Sequence, residues 1–429
     1  MPPPSRMAPY SRTVFPSPRD GRVVGTVART RAASPVPAAR VDSSAGPGSG
    51  EGRAPARDPG TPEEVTAVPT ASGDAVPDEL TDRYGRTVRD LRLSITDRCN
   101  LRCTYCMPAA GLEWLPAPGL LTGAEIARLA RVAVERLGVE RIRLTGGEPL
   151  MRRDLEEIVA EVAGLRTRRG VKPDIGLTTN GLGLDRRADG LRRAGLDRVN
   201  VSIDTLDPAE YARVTRRDRL DGVLRGAAGA QEAGLTPVKI NAVVMPGALG
   251  ERAPRLLGEC LRRGWILRFI EHMPLGPRES WRAEEVVGAE RVLEALDSAG
   301  FELRARGRPD RRPAAVWDVA AGTDRDGFHP AGTVGIIASV TAPFCADCDR
   351  TRLTADGRLM TCLFSARETD LRGPMRAGAS DDELIRIWAE ATWRKPLAHG
   401  TDTPGRAADG ADHGDGFVRP ARTMSAIGG

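Results

Sequence analysis

The sequence predicts an α/β protein with a parallel sheet, and three observations carry that reading. From Arg92 onward, short β-branched runs alternate with stretches of helical period. No run of about 18 apolar residues occurs, so no transmembrane helix is expected. At 429 residues and 40% hydrophobic, the chain is long enough to bury a large core.

Taken in order, the candidate strands are Arg92–Thr96, Arg141–Thr145, Asp174–Thr179, Arg198–Asp204, Pro237–Met245 and Leu267–Met273. Helical period fills Ala124–Leu137, Leu155–Arg168 and Gly222–Ala233 between them. Such β/α units in series imply right-handed crossovers. A doubly wound sheet and a partial barrel both fit, and both put active sites at the C-terminal ends of strands.

Outside this region the pattern weakens. Residues 1–80 are rich in Pro, Ala, Ser, Gly and Arg without apolar periodicity, and are expected to be disordered. Their Arg-rich start has the composition of a transit peptide, but no amphipathic helix stands out, so it reads as a passive tail. Residues 274–331 read as an irregular connection. Gly332–Thr341 is strand-like, and Arg352–Cys362 reads as a hairpin turning at Asp356-Gly357. Ser380-Asp381-Asp382-Glu383 is a capping box opening a helix. Residues 400–416 read as a loose loop. The expected division is therefore 1–80, 81–275 and 276–429.

Only 4% of residues are aromatic, so the core must rest on Leu, Val, Ile and Ala. A net charge of +5 is small for this length and gives no reason to expect nucleic acid. It suits an anionic ligand where arginines converge. Of 63 basic residues only Lys172, Lys239 and Lys395 are lysines. Arg143 and Lys239 sit within apolar strand runs, where a solvated surface charge is a poor explanation.

The seven cysteines fall into two tight groups with Cys260 left over. This is no disulfide framework; it reads as two ligand sets in a reducing, cytoplasmic setting. Cys260 lies in a helical pattern and reads as a small core residue. Cys99, Cys103 and Cys106 have C-x3-C-x2-C spacing after the first strand. Three thiolates can hold three irons of a [4Fe–4S] cube and leave the fourth iron open. A zinc site would want a fourth Cys or His nearby, and none is close in sequence. Cys345, Cys348 and Cys362 form a second set of three, C-x2-C-x13-C. Half a zinc ribbon would need a second C-x2-C, which is missing.

Gly146-Gly147-Glu148-Pro149 follows the second strand and lets backbone approach a ligand closely. Alone it could be a tight turn. Ser202 and Thr178, at further strand ends, would alone be ordinary capping or turn residues.

The first cysteine group and the Gly-Gly-Glu turn resemble the radical S-adenosylmethionine (SAM) superfamily. The second group narrows the resemblance, together with Asp90–Asn100, Leu144–Asp154, Leu177–Gly181 and the Gly428-Gly429 end. From about residue 80 onward the chain is similar to the GTP 3′,8-cyclase family of molybdenum cofactor biosynthesis. The resemblance implies a partial (β/α)6 TIM-like barrel of the radical SAM type, with a C-terminal α+β cluster-binding extension. It implies two [4Fe–4S] clusters, one on each cysteine trio. SAM contacts would come from Tyr105, Gly147, Ser202 and Met273. GTP contacts would come from Arg92, Arg143, Thr178, Lys239, Arg350, Thr351 and Arg352, and Arg268 on the last strand could join them. Arg92, Gly428 and Gly429 would serve catalysis, the Gly-Gly tail entering the active site. An electron donor and, downstream, a cyclic pyranopterin monophosphate synthase are the implied partners, with the chain a homodimer or monomer. The rival readings are a radical SAM enzyme with an auxiliary cluster acting on a peptide, and a zinc-binding protein without catalysis.

Overall fold

The computed structural model describes residues 76–308, 312–399, 420 and 422–428. The N-terminal stretch expected to be disordered lies outside the described residues except for 76–80, where Leu80 is fully buried. The loose loop at 400–416 and Gly429 also lie outside them.

Six strands in β/α succession build the centre: β1 Asp90–Ser94, β2 Arg141–Thr145, β3 Asp174–Thr179, β4 Arg198–Ser202, β5 Lys239–Val244 and β6 Ile266–Glu271. The helices between them are α1 Gly123–Arg131, α2 Leu155–Gly164, α3 Ala188–Ala194, α4 Pro208–Thr215, α5 Leu220–Glu232 and α6 Arg252–Arg262. Each strand alternates. Leu91, Leu93, Ile142, Leu144, Ile175, Leu177, Val199, Val201, Ile240, Leu267 and Phe269 are all at most 2% exposed and join one core. α2 packs against β3 and α6 against β6. Parallel strands covered on both faces are ordinarily apolar throughout. Here the other face carries Asp90, Arg92, Arg141, Arg143, Arg198, Asn200, Lys239, Asn241 and Arg268, so it lines an interior meant for something polar.

The C-terminal half holds β7 Leu303–Gly307, β8 Ala315–Val319, β9 Gly322–Asp324, β10 Gly327–His329, β11 Gly332–Ile337, β12 Arg350–Leu353, β13 Arg358–Met360 and β14 Thr369–Asp370. Its helices are α7 Ala289–Ser298, α8 Arg372–Arg376, α9 Asp381–Trp393 and α10 Met424–Ile427. The region expected to be an irregular connection therefore contains α7 and four short strands. Its pattern is weak because β7 is mostly exposed and no core enforces alternation. The capping box is present, Ser380 and Glu383 each accepting from the other's backbone N–H.

β12 adds parallel to β1, and β11 adds parallel to β6. The order β12-β1-β2-β3-β4-β5-β6-β11 thus makes eight parallel strands within a twelve-stranded sheet. Antiparallel β13 and β14 extend one edge, and β8 and β7 the other. Among the described residues no pairing joins β11 to β12, so the barrel stays open there. The C-terminal region supplies the strand at each edge of that opening.

Candidate active site

The two cysteine groups lie at opposite ends of the barrel. Cys99, Cys103 and Cys106 follow the C-terminal end of β1. Cys345 and Cys348 precede β12, whose first residue Arg350 is level with Asp90, the first residue of β1. β13 runs antiparallel to β12 with Met360 opposite Arg352, so the hairpin returns Cys362 toward the level of Arg350, two residues from Cys348. Of the two trios, only the first lies at the C-terminal ends of the strands, where the chemistry was expected to gather. The second trio, with Arg350, Lys239 and Arg198 at strand starts, occupies the other end. Sequence order hides this, because the parallel β1–β12 pairing is long-range.

None of the six cysteines is in a disulfide. Burial, with Asp204, Cys106 and Cys99, holds the Cys103 thiol well above its ordinary value. Burial and Cys99 push Cys106 up to about 12. Burial, with Cys348 and Cys345, pushes Cys362 up to about 11. The thiols of each trio thus feel one another. Burial alone would raise Cys348 too, but Arg350 and Lys395 outweigh it and bring it down to about 7. Lys395 donates to the carbonyls of Cys348 and Arg350, each at 2.8 Å. Arg86 donates to the Cys345 carbonyl at 2.7 Å. Among the described residues, no three His, Cys, Asp or Glu side chains form a site for a single metal ion. A cubane cluster puts each thiolate on its own iron, so its ligands need not converge on one point. Three soft thiolates at each end fit such a cluster, and with no fourth ligand among the described residues they would leave one iron free.

Gly146 and Gly147 press onto the first cysteine loop. A Cβ on Gly146 would stand 2.2 Å from the Thr96 carbonyl oxygen, and one on Gly147 2.3 Å from that of Arg98. Gly146 also has φ +139°, so both positions demand glycine. Glu148 is fully buried and accepts from Thr179 Oγ1 and Asn180 N, both at 2.6 Å. Burial outweighs those bonds and lifts its carboxyl to about 7. The Tyr105 hydroxyl donates to Asp204 Oδ2 at 2.8 Å, and Asp204 also accepts from Val243 N. Ser202 ends β4, and Met273 follows β6 and lines the interior cavity. Tyr105, Gly147, Ser202 and Met273 therefore gather at the end of the barrel where the first cysteine trio lies.

Between the two trios lies a cavity of about 420 Å³. Nine arginines and Lys239 line it against one carboxylate, Asp90; Cys345, Cys348 and Cys362 form part of its wall. Arg92, Arg143, Thr178, Arg268, Arg350 and Arg352 all line it. Asn200, Asn241, Arg141, Arg198, Arg306 and Arg312 were not singled out from sequence, yet line it as well. The polar positions at every second residue of β1, β2, β4 and β5 were the signal for most of these.

The cavity's charges are poorly matched. Arg143 is 8% exposed, and its Nε and Nη1 have no partner. The same holds for Arg198 Nη1 and Arg268 Nε. Burial and then Arg92 and Arg198 lower Arg143 well below its ordinary value. Burial and Arg92 bring Arg268 down to about 9. Burial and then Arg268, Arg198 and Arg143 bring Lys239 to about 7. Arg198 is ion-paired with Asp174 and Arg268 donates to Asn200 at 2.8 Å, yet each of the three arginines keeps a nitrogen without a partner among the described residues, and an anion with many acceptor oxygens would satisfy them.

Thr351 does not join this wall. Strand alternation turns it to the face shared with Leu91, its register partner, where it is fully buried with an unpartnered hydroxyl. Gly428 does reach the interior. The Arg352 Nη1 donates to its carbonyl at 2.6 Å, and the Ser94 hydroxyl donates to the Ile427 carbonyl at 2.9 Å. Arg422 fastens the same segment to Asp356 at 2.9 Å.

The fold, the open-ended cysteine trio and the glycine turn together define a radical SAM enzyme. Residues 93–257 match the Radical SAM superfamily, and residues 265–401 match Molybdenum Cofactor Synthesis C. The chain is 54% identical over 362 residues to the GTP 3′,8-cyclase of Corynebacterium glutamicum, covering 84% of this chain and 92% of that protein. It is 54% identical to the GTP 3′,8-cyclase of Mycolicibacterium smegmatis, over 82% of this chain and 92% of that one. For the GTP 3′,8-cyclase of Streptomyces coelicolor the identity is 52%, over 82% and 96%. The chain belongs to the GTP 3′,8-cyclase family. Among solved structures, Streptococcus suis SuiB bound to S-adenosylmethionine matches with a TM-score of 0.49 at 14% identity, over 71% of this chain and 66% of that one. That likeness is too slight to add to the argument.

Proposed function

We propose that this chain performs the radical SAM cyclisation of GTP to (8S)-3′,8-cyclo-7,8-dihydroguanosine 5′-triphosphate, the first step of molybdenum cofactor biosynthesis. One observation carries the assignment to this site. A single cavity combines arginines whose nitrogens are left in part without partners among the described residues with a cysteine trio in its wall, and a second trio caps the other end of the same barrel.

Cys99, Cys103 and Cys106 would hold the cluster that binds SAM, and Cys345, Cys348 and Cys362 would hold the second, on the GTP side. When bound, these groups supply the one-electron chemistry and the removal of hydrogen from ribose C3′ that lead to bond formation at guanine C8. The chain's own work is positioning and exclusion of water. Arg92, Arg143, Lys239, Arg268, Arg350 and Arg352 hold the triphosphate and neighbouring polar groups, with Thr178 beside them. Thr351 supports the strand from its far face. Tyr105, Gly147, Ser202 and Met273 shape the SAM end. Gly428 presents backbone to the reacting region, with Arg352 fixing its carbonyl, and the family resemblance assigns Gly429 to catalysis with it.

Residues 81–275 supply the SAM end and 276–429 the second-cluster wall. An electron donor, a cytoplasmic location and a monomer or homodimer complete the reading; no described helix is long and apolar enough to cross a membrane. The product would pass to a cyclic pyranopterin monophosphate synthase.

The test is anaerobic reconstitution followed by incubation with SAM, reductant and GTP. Cys345→Ser should still form 5′-deoxyadenosine while losing the cyclised nucleotide. Full GTP turnover by that variant would remove the second trio from the mechanism.

A further inference from the structure

α4 ends at Thr215, and the next residue, Arg216, has φ +55° and ψ 28°. Among the described residues it is the one non-glycine residue with positive φ. A left-handed residue that peels the chain off a helix end is ordinarily glycine or asparagine, because a Cβ there is strained. Strain that persists in a fold points to a demand the easier residue would not meet.

The contacts show that demand. The last carbonyls of a helix lack partners within it. Those of Val214 and Thr215 accept from the N–H groups of Thr104 and Arg102, at 2.9 and 3.0 Å, both in the first cysteine loop. Glycine at 216 would permit all of this. The arginine adds two donations that glycine would not make. Its Nη1 reaches the carbonyls of Arg102 at 2.8 Å and Met107 at 3.1 Å. Those two residues flank Cys103 and Cys106. On the other side, Arg102 Nη1 donates to the carbonyls of Cys99 and Leu101, at 2.7 and 2.8 Å.

We propose that Arg216 is a positioning residue for the first cysteine loop, its guanidinium bracketing Cys103–Cys106 between the carbonyls of Arg102 and Met107. The inference rests on the reading that Cys99, Cys103 and Cys106 hold a cluster. Arg216 then fixes the spacing of those thiolates before iron arrives and slows their departure from it.

The test uses the full-length chain carrying Cys345→Ser, so that iron and the electron paramagnetic resonance signal report on the first trio. Arg216→Gly, Arg216→Asn and Arg216→Lys are compared with that parent after anaerobic loading with iron and sulfide. Arg216→Gly should lose iron to a chelator roughly tenfold faster, with a broadened signal and a weaker response to added SAM. Its iron-free form should unfold at the parent's temperature or above, because backbone strain is relieved. Arg216→Asn should follow it, and Arg216→Lys should recover part of the retention. Equal iron loss in parent and Arg216→Gly overturns the proposal. Faster loss accompanied by a lower unfolding temperature of the iron-free chain also overturns it, since that marks a merely structural role. A parent that takes up no iron overturns the cluster reading itself, and the proposal with it.

Discussion

Gly176 on β3 leaves room for the guanidinium of Arg143 on β2. A Cβ at 176 would stand 3.0 Å from Arg143 Nη1 and 2.4 Å from Arg198 Nη1. The two positions are register partners, so the missing side chain on one strand becomes the resting place of the charge on the next. Gly335 on β11 stands in the same relation to Arg268 on β6, with a Cβ there 2.9 Å from Arg268 Cγ.

Gly176→Val should therefore displace both arginines. GTP affinity should fall by roughly ten- to a hundredfold, the usual loss when hydrogen bonds to a charged ligand are broken. SAM binding should hold, because the other end of the barrel is untouched. Calorimetric titration with each ligand checks both halves.

Arg143→Met separates stability from binding by sign. The guanidinium is buried without a partner for two of its nitrogens, and an apolar chain of similar length removes that penalty. The ligand-free protein should gain about 1–3 kcal/mol in urea unfolding. GTP affinity should fall at least about tenfold. A variant that is both less stable and weaker in binding would contradict this account.

Lys239 sets a pH dependence. Burial and the surrounding arginines bring its ammonium down to about 7 in the empty cavity. A bound triphosphate favours the charged form and raises that value, so binding above about pH 7 takes up a proton. Between about pH 7.5 and 9, where GTP itself is already ionised, affinity should fall by up to roughly tenfold per unit. Titrations in buffers of different ionisation enthalpy measure the proton directly. Lys239→Arg should flatten the slope below about pH 8, leaving only what Arg268 contributes near 9.

Gly428→Ala tests the tail. The residue has φ +80°, and a Cβ would stand 2.5 Å from both Ser94 Oγ and Thr145 Cγ2. The side chain cannot be housed without moving the segment and releasing the Gly428 carbonyl from Arg352. Cluster content and SAM binding should persist. Product formation should fall by about a hundredfold, the scale expected when a positioning contact shifts by an ångström.

How much of this was legible in the sequence depends on distance along the chain. β2 and β3 end where their apolar runs end, because burial of one face fixes both limits. The hairpin turning at Asp356-Gly357 and the cap at Ser380 are equally local, and the structure contains both. Arg143 and Lys239 stood out as charges in apolar runs, and both face the cavity. Arg141, Arg198 and Asn200 follow the same alternation but begin or interrupt strands whose polarity looked ordinary. Thr351 shows the opposite failure: the resemblance places it with the two cavity arginines that flank it, but strand alternation turns it to the other face. Asp204, Lys395 and Arg216 act through contacts with residues far off in sequence, and no local pattern marks them.

The alternation along the barrel strands has a consequence for how such a protein can change. One set of residues fastens the wall to its helices, and the interleaved set furnishes the room inside. Because the two sets share a backbone but hardly touch, the furnishings can be exchanged while the masonry stands. A lineage, or an engineer, could refit this interior for a differently shaped anion without having to invent another fold.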